Sequence, residues 1–184
     1  MVARFLTSEH GLVAAYVAGG RGRRLRPVLI PGNSVDLALA SRSESQLPFG
    51  KPELVTSRGP WLSEPLPAAA IAWTCALTAA VLPERLPYPP LYQALGGVLE
   101  AICHAPAARA WVGALIAYEG LLLRELGYGA WGEGGAGRPT GDLPDMLAAM
   151  DQLAGPLDQY LLAESRGDVM AARQRLRELL GRIG

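Results

Sequence analysis

Two hydrophobic patterns divide this chain near Pro60. Before that residue apolar and polar positions alternate, most clearly in SVDLALAS at 34–41, and a period of two is typical of a half-buried β-strand. Four short β-compatible runs are separated by the turn sequences TSEHG, GGRGRRLRP and SRSES: 2–6, 12–18, 34–41 and 46–55. Their spacing predicts a small antiparallel barrel or sandwich. The last run contains Pro48 and Pro52, which favours an edge strand.

After Pro60 apolar residues recur every three or four positions, as on one face of a helix. Helices are predicted within 66–82, 90–104, 110–123, 142–154, 156–165 and 168–182. The third is apolar almost all round, so we expect it at the centre of a bundle. Seven glycines between 127 and 141 predict an exposed loop without a phosphate-binding pattern, and Gly127 should end the preceding helix. The predicted fold class is α+β, with a β domain over 1–60 and an α-helical domain over 61–184.

Charge is divided at the same place. Residues 1–60 hold eight Lys/Arg against four Asp/Glu, whereas residues 61–184 hold nine against thirteen, so the net charge of +0 hides a split of +4 and −4. A split of this kind indicates an anionic partner for the first part.

Four arginines stand within six residues of the glycine-flanked segment between two predicted strands: Arg21, Arg23, Arg24 and Arg26. Guanidinium groups bind phosphate well, and such contacts position a protein on nucleic acid. Arg42, Lys51 and Arg58 could extend this basic surface. The alternative is a solvated turn that binds nothing, in a protein whose arginines reflect coding bias.

Catalytic and metal-binding patterns are absent from the sequence. His10 lies in a predicted turn, and His104 follows Cys103 directly, although adjacent helical positions do not face one another. Cys75 and Cys103 both occur in apolar runs, where a buried thiol is the ordinary case. We therefore predict neither an enzyme nor a metal or cofactor site.

The uncharged run 66–82 reaches the length of a short membrane span. Its many alanines, two threonines and Pro67 favour a buried helix instead. We expect a cytoplasmic protein without membrane contact.

Three segments, in order, resemble the bacterial DNA repair family RecO. The segment 6–33 contains the family's Leu-Thr-x-Glu-His-Gly turn, a Gly/Arg-rich turn and Leu-Arg-Pro-Val-Leu-x-Pro-Gly-Asn. The segment 81–95 is similar to its Leu-Pro-Glu-Arg-x-Pro-x-Pro-x-Leu-Tyr segment, and 118–129 to its Phe-Glu-x-x-Leu-Leu-x-x-Leu-Gly-Tyr segment. These segments span roughly residues 2–129.

The resemblance implies an oligonucleotide/oligosaccharide-binding (OB) barrel followed by a helical domain. It also implies binding and annealing of DNA, both single-stranded and double-stranded, by a nucleoid-associated protein. Its implied partners are the tail of the single-strand DNA-binding protein and RecR, with which it would help to load RecA at gaps.

Two departures from the family pattern matter. The family normally has a strand before the segment that matches VARFL, so we expect either a mis-assigned start or a barrel open at one edge. Family members often carry a four-cysteine zinc module after Leu-Gly-Tyr. The glycine-rich loop without cysteine occupies that place here, so no zinc is expected.

The implied partner peptide is acidic with a hydrophobic end, and it needs a cation beside an apolar groove. Arg85, Arg109 and Arg124 lie in or beside the predicted helices, although surface ion pairing explains them equally well. Tyr16 and Phe49 could stack on bases, but we expect both in the core. The alternative function is a scaffold that does not bind DNA and acts through its helical domain.

Overall fold

The computed structural model describes residues 1–41, 43, 46–128, 141–164 and 169–183. Four strands come first: β1 (Val2–Thr7), β2 (Gly11–Tyr16), β3 (Ser34–Ala40) and β4 (Phe49–Thr56). A short 3-10 helix, Gly59–Ser63, leads into five α-helices: α1 (Pro65–Val81), α2 (Pro89–His104), α3 (Arg109–Glu125), α4 (Leu143–Pro156) and α5 (Val169–Gly181). The predicted α+β class is confirmed. The glycine-rich loop lies mostly outside the described residues.

The strands form one open sheet in the order β1-β2-β4-β3. The outer pairs are antiparallel, whereas β2 meets β4 in parallel at a single pair, Tyr16 with Phe49. Within the described residues β1 and β3 are the two edges and do not pair with each other. The described residues therefore form an open sheet and not a closed barrel, as in the expected alternative of a barrel open at one edge.

In the sheet order β4 lies between β2 and β3, so the predicted edge position is wrong where β4 begins and applies only beyond Phe49. Pro52 is tolerated because β4 pairs with β2 only at Phe49, three residues earlier. Beyond that point β4 has only β3 as a neighbour, and one side of the strand needs no amide donor.

The β1–β2 hairpin is tied to the helices at its turn. The backbone N–H of His10 donates to Thr7 Oγ1 at 3.0 Å, and Gly11 takes a φ of +65°. A Cβ at Gly11 would lie 2.0 Å from the carbonyl oxygen of Leu86, so glycine is required for this close approach. The next residue, Leu12, is buried in the same cluster as the helical core.

The helices enclose one hydrophobic core, to which all five α-helices contribute. α3 is the central helix that the sequence predicted, and Gly127, with a φ of +94°, follows its end. The helix expected over 156–165 continues α4 instead, as a π-helical turn at Leu157–Leu162. Pro156 explains the change, because proline has no N–H for the α-helical ladder. No helix in the described part of the chain is long and apolar enough to cross a bilayer.

An ion pair lies in the middle of this core. Arg173 donates through Nε and Nη2 to the two carboxylate oxygens of Glu119, at 3.0 and 2.7 Å, and Nη2 also donates to the carbonyl of Met150 at 2.6 Å. Trp73 Nε1 donates to Glu119 at 2.8 Å. The side chains of Glu119 and Arg173 are 0% and 4% exposed. One carboxylate therefore joins α1, α3 and α5, and the guanidinium adds α4.

Arg58 joins the sheet to the helices. Its backbone N–H donates to Asn33 Oδ1 at 2.8 Å, and its guanidinium donates to the carbonyl of Gly32 and, at 2.7 Å, to Glu100 of α2. The residue is only 5% exposed. The predicted contact with DNA is therefore corrected, because this guanidinium is buried and already bonded on both sides.

Glu119→Gln should destabilise the bundle strongly, because the neutral amide leaves the charge of Arg173 buried without a counterion. We expect the free energy of unfolding, measured in urea by circular dichroism, to fall by about 3–5 kcal/mol. The control is Asp151→Asn, which removes the exposed ion pair with Arg177 and should lose less than about 1 kcal/mol. Equal losses in both variants would contradict a buried-charge origin. Glu119→Leu combined with Arg173→Met should recover much of the stability.

Arg58→Met should also destabilise the protein, because it removes hydrogen bonds that join the sheet to α2 while keeping an apolar stem. The expected loss is about 1.5–3 kcal/mol in the same unfolding measurement. Arg23→Met removes an exposed arginine instead and should change stability by no more than about 0.5 kcal/mol. An unchanged stability in Arg58→Met would show that the link is unimportant for folding.

Candidate nucleic-acid interface

The connection between β2 and β3 folds into successive tight turns. Gly19 takes a φ of +69°, and its carbonyl accepts the N–H of Gly22 at 2.8 Å. The N–H of Arg26 then donates to the carbonyl of Gly22 at 3.0 Å, and that of Leu29 to the carbonyl of Leu25 at 3.0 Å. Leu25 and Leu29 are half-buried, whereas Arg26 between them and the arginines before Leu25 are exposed.

Four arginines project from these turns, and we call them the arginine turn: Arg21, Arg23, Arg24 and Arg26. All four are exposed. Within the described residues none of them has a carboxylate within ion-pair distance, whereas Arg4, Arg58, Arg124, Arg173 and Arg177 each have one. The arginine turn is therefore a concentration of positive charge without a described counterion.

The far end of this connection is held by Asn33. Its side-chain amide donates to the carbonyls of Pro27 and Val28 at 2.9 and 3.1 Å, and its carbonyl oxygen accepts the N–H of Arg58. Gly32, with a φ of +86°, packs beside Ile71 of α1: a Cβ there would be 2.9 Å from Ile71 Cγ2. These contacts at Gly32 and Asn33 therefore hold the C-terminal end of the loop that carries the arginine turn.

The other predicted basic contacts differ in their surroundings. Lys51 lies on β4 with its side chain 77% exposed, and its Nζ is 3.8 Å from Glu53, which is 72% exposed. Such an exposed pair is weak and screened by salt, so Lys51 remains available to an anion. Arg42 lies outside the described residues. Arg58 is buried and is therefore no longer a candidate for DNA contact.

Two of the three arginines proposed for a partner peptide lie at opposite ends of one helix. Arg85, with a φ of +61°, donates its N–H to the carbonyl of Leu12 at 2.8 Å. Arg109 is exposed at the start of α3, and Arg124 is 3.2 Å from Glu125 near its end. Their separation along the helix is about 22 Å, so one short peptide end cannot contact both.

Neither cysteine is poised as a nucleophile. Burial raises the pKa of Cys75 to about 11, and it also raises the pKa of Cys103. His104 Nδ1 is 3.2 Å from Glu100 Oε2, and both side chains are more than half exposed. The described residues contain no group of three or more histidine, cysteine, aspartate or glutamate side chains that could hold a metal ion.

Two features were missed by sequence reasoning. Tyr16 and Phe49, expected in the core, are 41% and 58% exposed and pack edge to face with centroids 5.6 Å apart. A shallow groove of about 360 Å³ lies between α1 and α5, lined mainly by Leu62, Pro65, alanines and Arg175. Both depend on contacts between distant segments, so no local pattern could have shown them.

Residues 63–136 match the family model described as Recombination protein O C terminal. The chain is 40% identical over 124 residues to the DNA repair protein RecO of Ruegeria sp. (strain TM1040), which covers 67% of this chain and 50% of that protein. It is 39% identical over 130 residues to DNA repair protein RecO of Rhodospirillum centenum (strain ATCC 51521 / SW), covering 70% and 50%.

A third relative, DNA repair protein RecO of Phenylobacterium zucineum (strain HLK1), is 35% identical over 130 residues, covering 70% of this chain and 52% of the relative. The chain therefore spans about half the length of these relatives. The family model and these relatives agree with the ordered motifs of the sequence: the chain belongs to the RecO family of DNA repair proteins.

Proposed function

We propose that this protein is a non-catalytic, DNA-binding mediator of recombinational repair. It binds and anneals single strands, also contacts duplex DNA, and helps to load RecA at gaps. Residues 1–60 supply the DNA contact and residues 61–184 the helical partner surface. Membership of the family supports a role in DNA repair, and the single observation that supports the DNA contact is the exposed arginine turn. Association with the nucleoid in the cytoplasm is part of the same proposal.

The physical case begins with the arginine turn. Four guanidinium groups crowded on one exposed turn repel each other and are not neutralised by any described carboxylate. A polyanion relieves that repulsion and releases its condensed counterions, which is the main source of non-specific affinity for nucleic acid. The fixed base at Asn33 holds these charges in place, so less ordering is needed when phosphate binds.

The sheet order is compatible with an OB-like barrel. The free edges are β1 and β3, so one additional strand between them would close the sheet. OB barrels bind oligonucleotides through a strand face and the adjacent loops. The arginine turn lies in a loop of this sheet, between β2 and β3.

Arg23→Ala combined with Arg24→Ala should weaken binding to single-stranded DNA of any sequence, because phosphate contacts carry no base information. The slope of log affinity against log salt should become shallower by about 1.4 for single strands. Fluorescence anisotropy across a salt series measures both effects. The charge-matched control is Arg109→Ala with Arg124→Ala on α3, which should bind as the wild type does.

Three results would contradict the DNA assignment: binding that does not depend on salt, equal losses in the two double variants, or no binding by the wild type. Absence of DNA binding together with retained partner binding would favour the scaffold function instead.

For the partner surface we propose that the tail of the single-strand DNA-binding protein lies in the groove between α1 and α5. The groove supplies apolar walls, including Leu62 and Pro65, and Arg175 supplies a cation at its rim. An acidic peptide with a hydrophobic end needs both features. RecR contact is proposed for the same helical part, on the family resemblance alone.

Arg175→Ala should weaken binding of that tail peptide by about 10-fold, because it removes a charged partner while leaving the apolar walls. Calorimetric titration of the peptide into the full chain measures the affinity. Arg109→Ala removes an exposed arginine outside the groove and should leave the affinity unchanged. Unchanged binding in Arg175→Ala would exclude the groove, and a loss confined to Arg109→Ala would point to the α3 terminus.

A further inference from the structure

We propose that Tyr16 and Phe49 form a platform on which unpaired bases stack, so that the surface beside the arginine turn prefers single-stranded nucleic acid to duplex. This inference rests on the proposed DNA-binding function and adds the part of the site that selects the strand. It assigns a recognition role to two aromatic residues in addition to the phosphate contacts of the arginines.

The two rings form an exposed pair at one point of the sheet. They belong to the only register pair between β2 and β4, so their side chains lie on the same face. Tyr16 is 41% exposed and Phe49 58%, and the planes of their rings meet at 86°. Large aromatic rings gain most from burial, so two adjacent exposed rings indicate a surface for a binding partner.

Most neighbouring side chains on that face are small; the exception is Val2 of β1, which lies opposite Tyr16. Ala40 lies opposite Phe49 in the β3–β4 register, and Ala38 lies opposite Lys51. On the other side Ala14 precedes Tyr16 by two residues and shares its face. Alanine methyl groups do not reach over an adjacent ring, so the platform is open to a planar ligand.

The surrounding charge identifies the occupant as a nucleic acid. Arg21 follows Tyr16 by five residues, so their Cα atoms are at most about 18 Å apart. Lys51 follows Phe49 by two residues on the same strand, about 7 Å away on the same face. Cations close in the chain to exposed rings match the phosphates and bases of a nucleic acid, whereas an acidic peptide would have no need of stacking surfaces.

The strand preference follows from where base faces are available. In a duplex each base is already stacked on its neighbours, so only phosphates and base edges are presented. In a single strand the faces are free, and stacking on an aromatic side chain is tolerant of sequence because every base has a π-face. The arginine turn should therefore contribute to binding of both forms, and the rings to the single strand.

The test combines ring-removing variants with a strand that lacks bases. Tyr16→Leu with Phe49→Leu should lower the affinity for an oligothymidylate by about 5- to 100-fold. Affinity for an abasic strand of equal charge, and for a duplex, should stay within about twofold of wild type. Tyr92→Leu, which removes a 42% exposed tyrosine from α2, is the matched control and should change nothing. Anisotropy at fixed salt measures all of these affinities.

Two further measurements distinguish the loss of the rings from misfolding of the leucine variant. Tyr16→Phe with Phe49→Tyr keeps both rings and should restore binding. The wild type alone should already bind oligothymidylate more tightly than the abasic strand. Equal wild-type affinity for these two strands, or equal losses on both in the leucine variant, would overturn the platform. If the wild type binds DNA with strong salt dependence and the leucine variant binds normally, the platform fails while the proposed function stands.

Discussion

The buried pair of Glu119 and Arg173 is the constraint on which the rest of the molecule depends. Taking two charges out of water is unfavourable, and their attraction offsets this only when every remaining donor and acceptor is satisfied. Trp73 and the carbonyl of Met150 supply additional hydrogen bonds here, so the pair favours one arrangement of α1, α3, α4 and α5. A purely apolar core tolerates sliding of one helix on another, whereas this hydrogen-bonded centre does not.

Helix α1 connects the buried ion pair to the candidate site. Trp73 is held by the buried carboxylate, and Ile71, two residues earlier in α1, packs against Gly32 at the base of the β2–β3 connection. Arg58 adds a second attachment, to Glu100 of α2, and its backbone N–H holds Asn33. The arginine turn is therefore carried by a loop whose C-terminal end is fixed to the helical core, while its charged part remains in solvent.

Local sequence patterns predicted the elements well and their arrangement poorly. The TSEHG turn, both strands around it and the central helix α3 were visible, because turn chemistry and periodicity act over a few residues. The order of the strands was not, since the parallel meeting of Tyr16 with Phe49 joins segments more than thirty residues apart. The arginines show that local sequence was equally unable to separate exposed site residues from buried ones. Arg58 and Arg173 are buried ion-pair partners, and nothing in their immediate sequence separates them from the exposed Arg23.

Buried cations in this chain hold its segments together, whereas exposed cations are available to a ligand. This difference decides what the surface can recognise. The guanidinium of Arg58 is buried and bonded to protein acceptors, so a ligand cannot reach it, whereas the arginine turn is exposed and an anion relieves the repulsion within it. Charge alone, however, attracts any polyanion. Discrimination between a single strand and a duplex requires a group that responds to free base faces, and on this sheet Tyr16 and Phe49 are placed to do so. Under the proposed function, affinity and strand choice would therefore belong to different residues at the same end of the sheet.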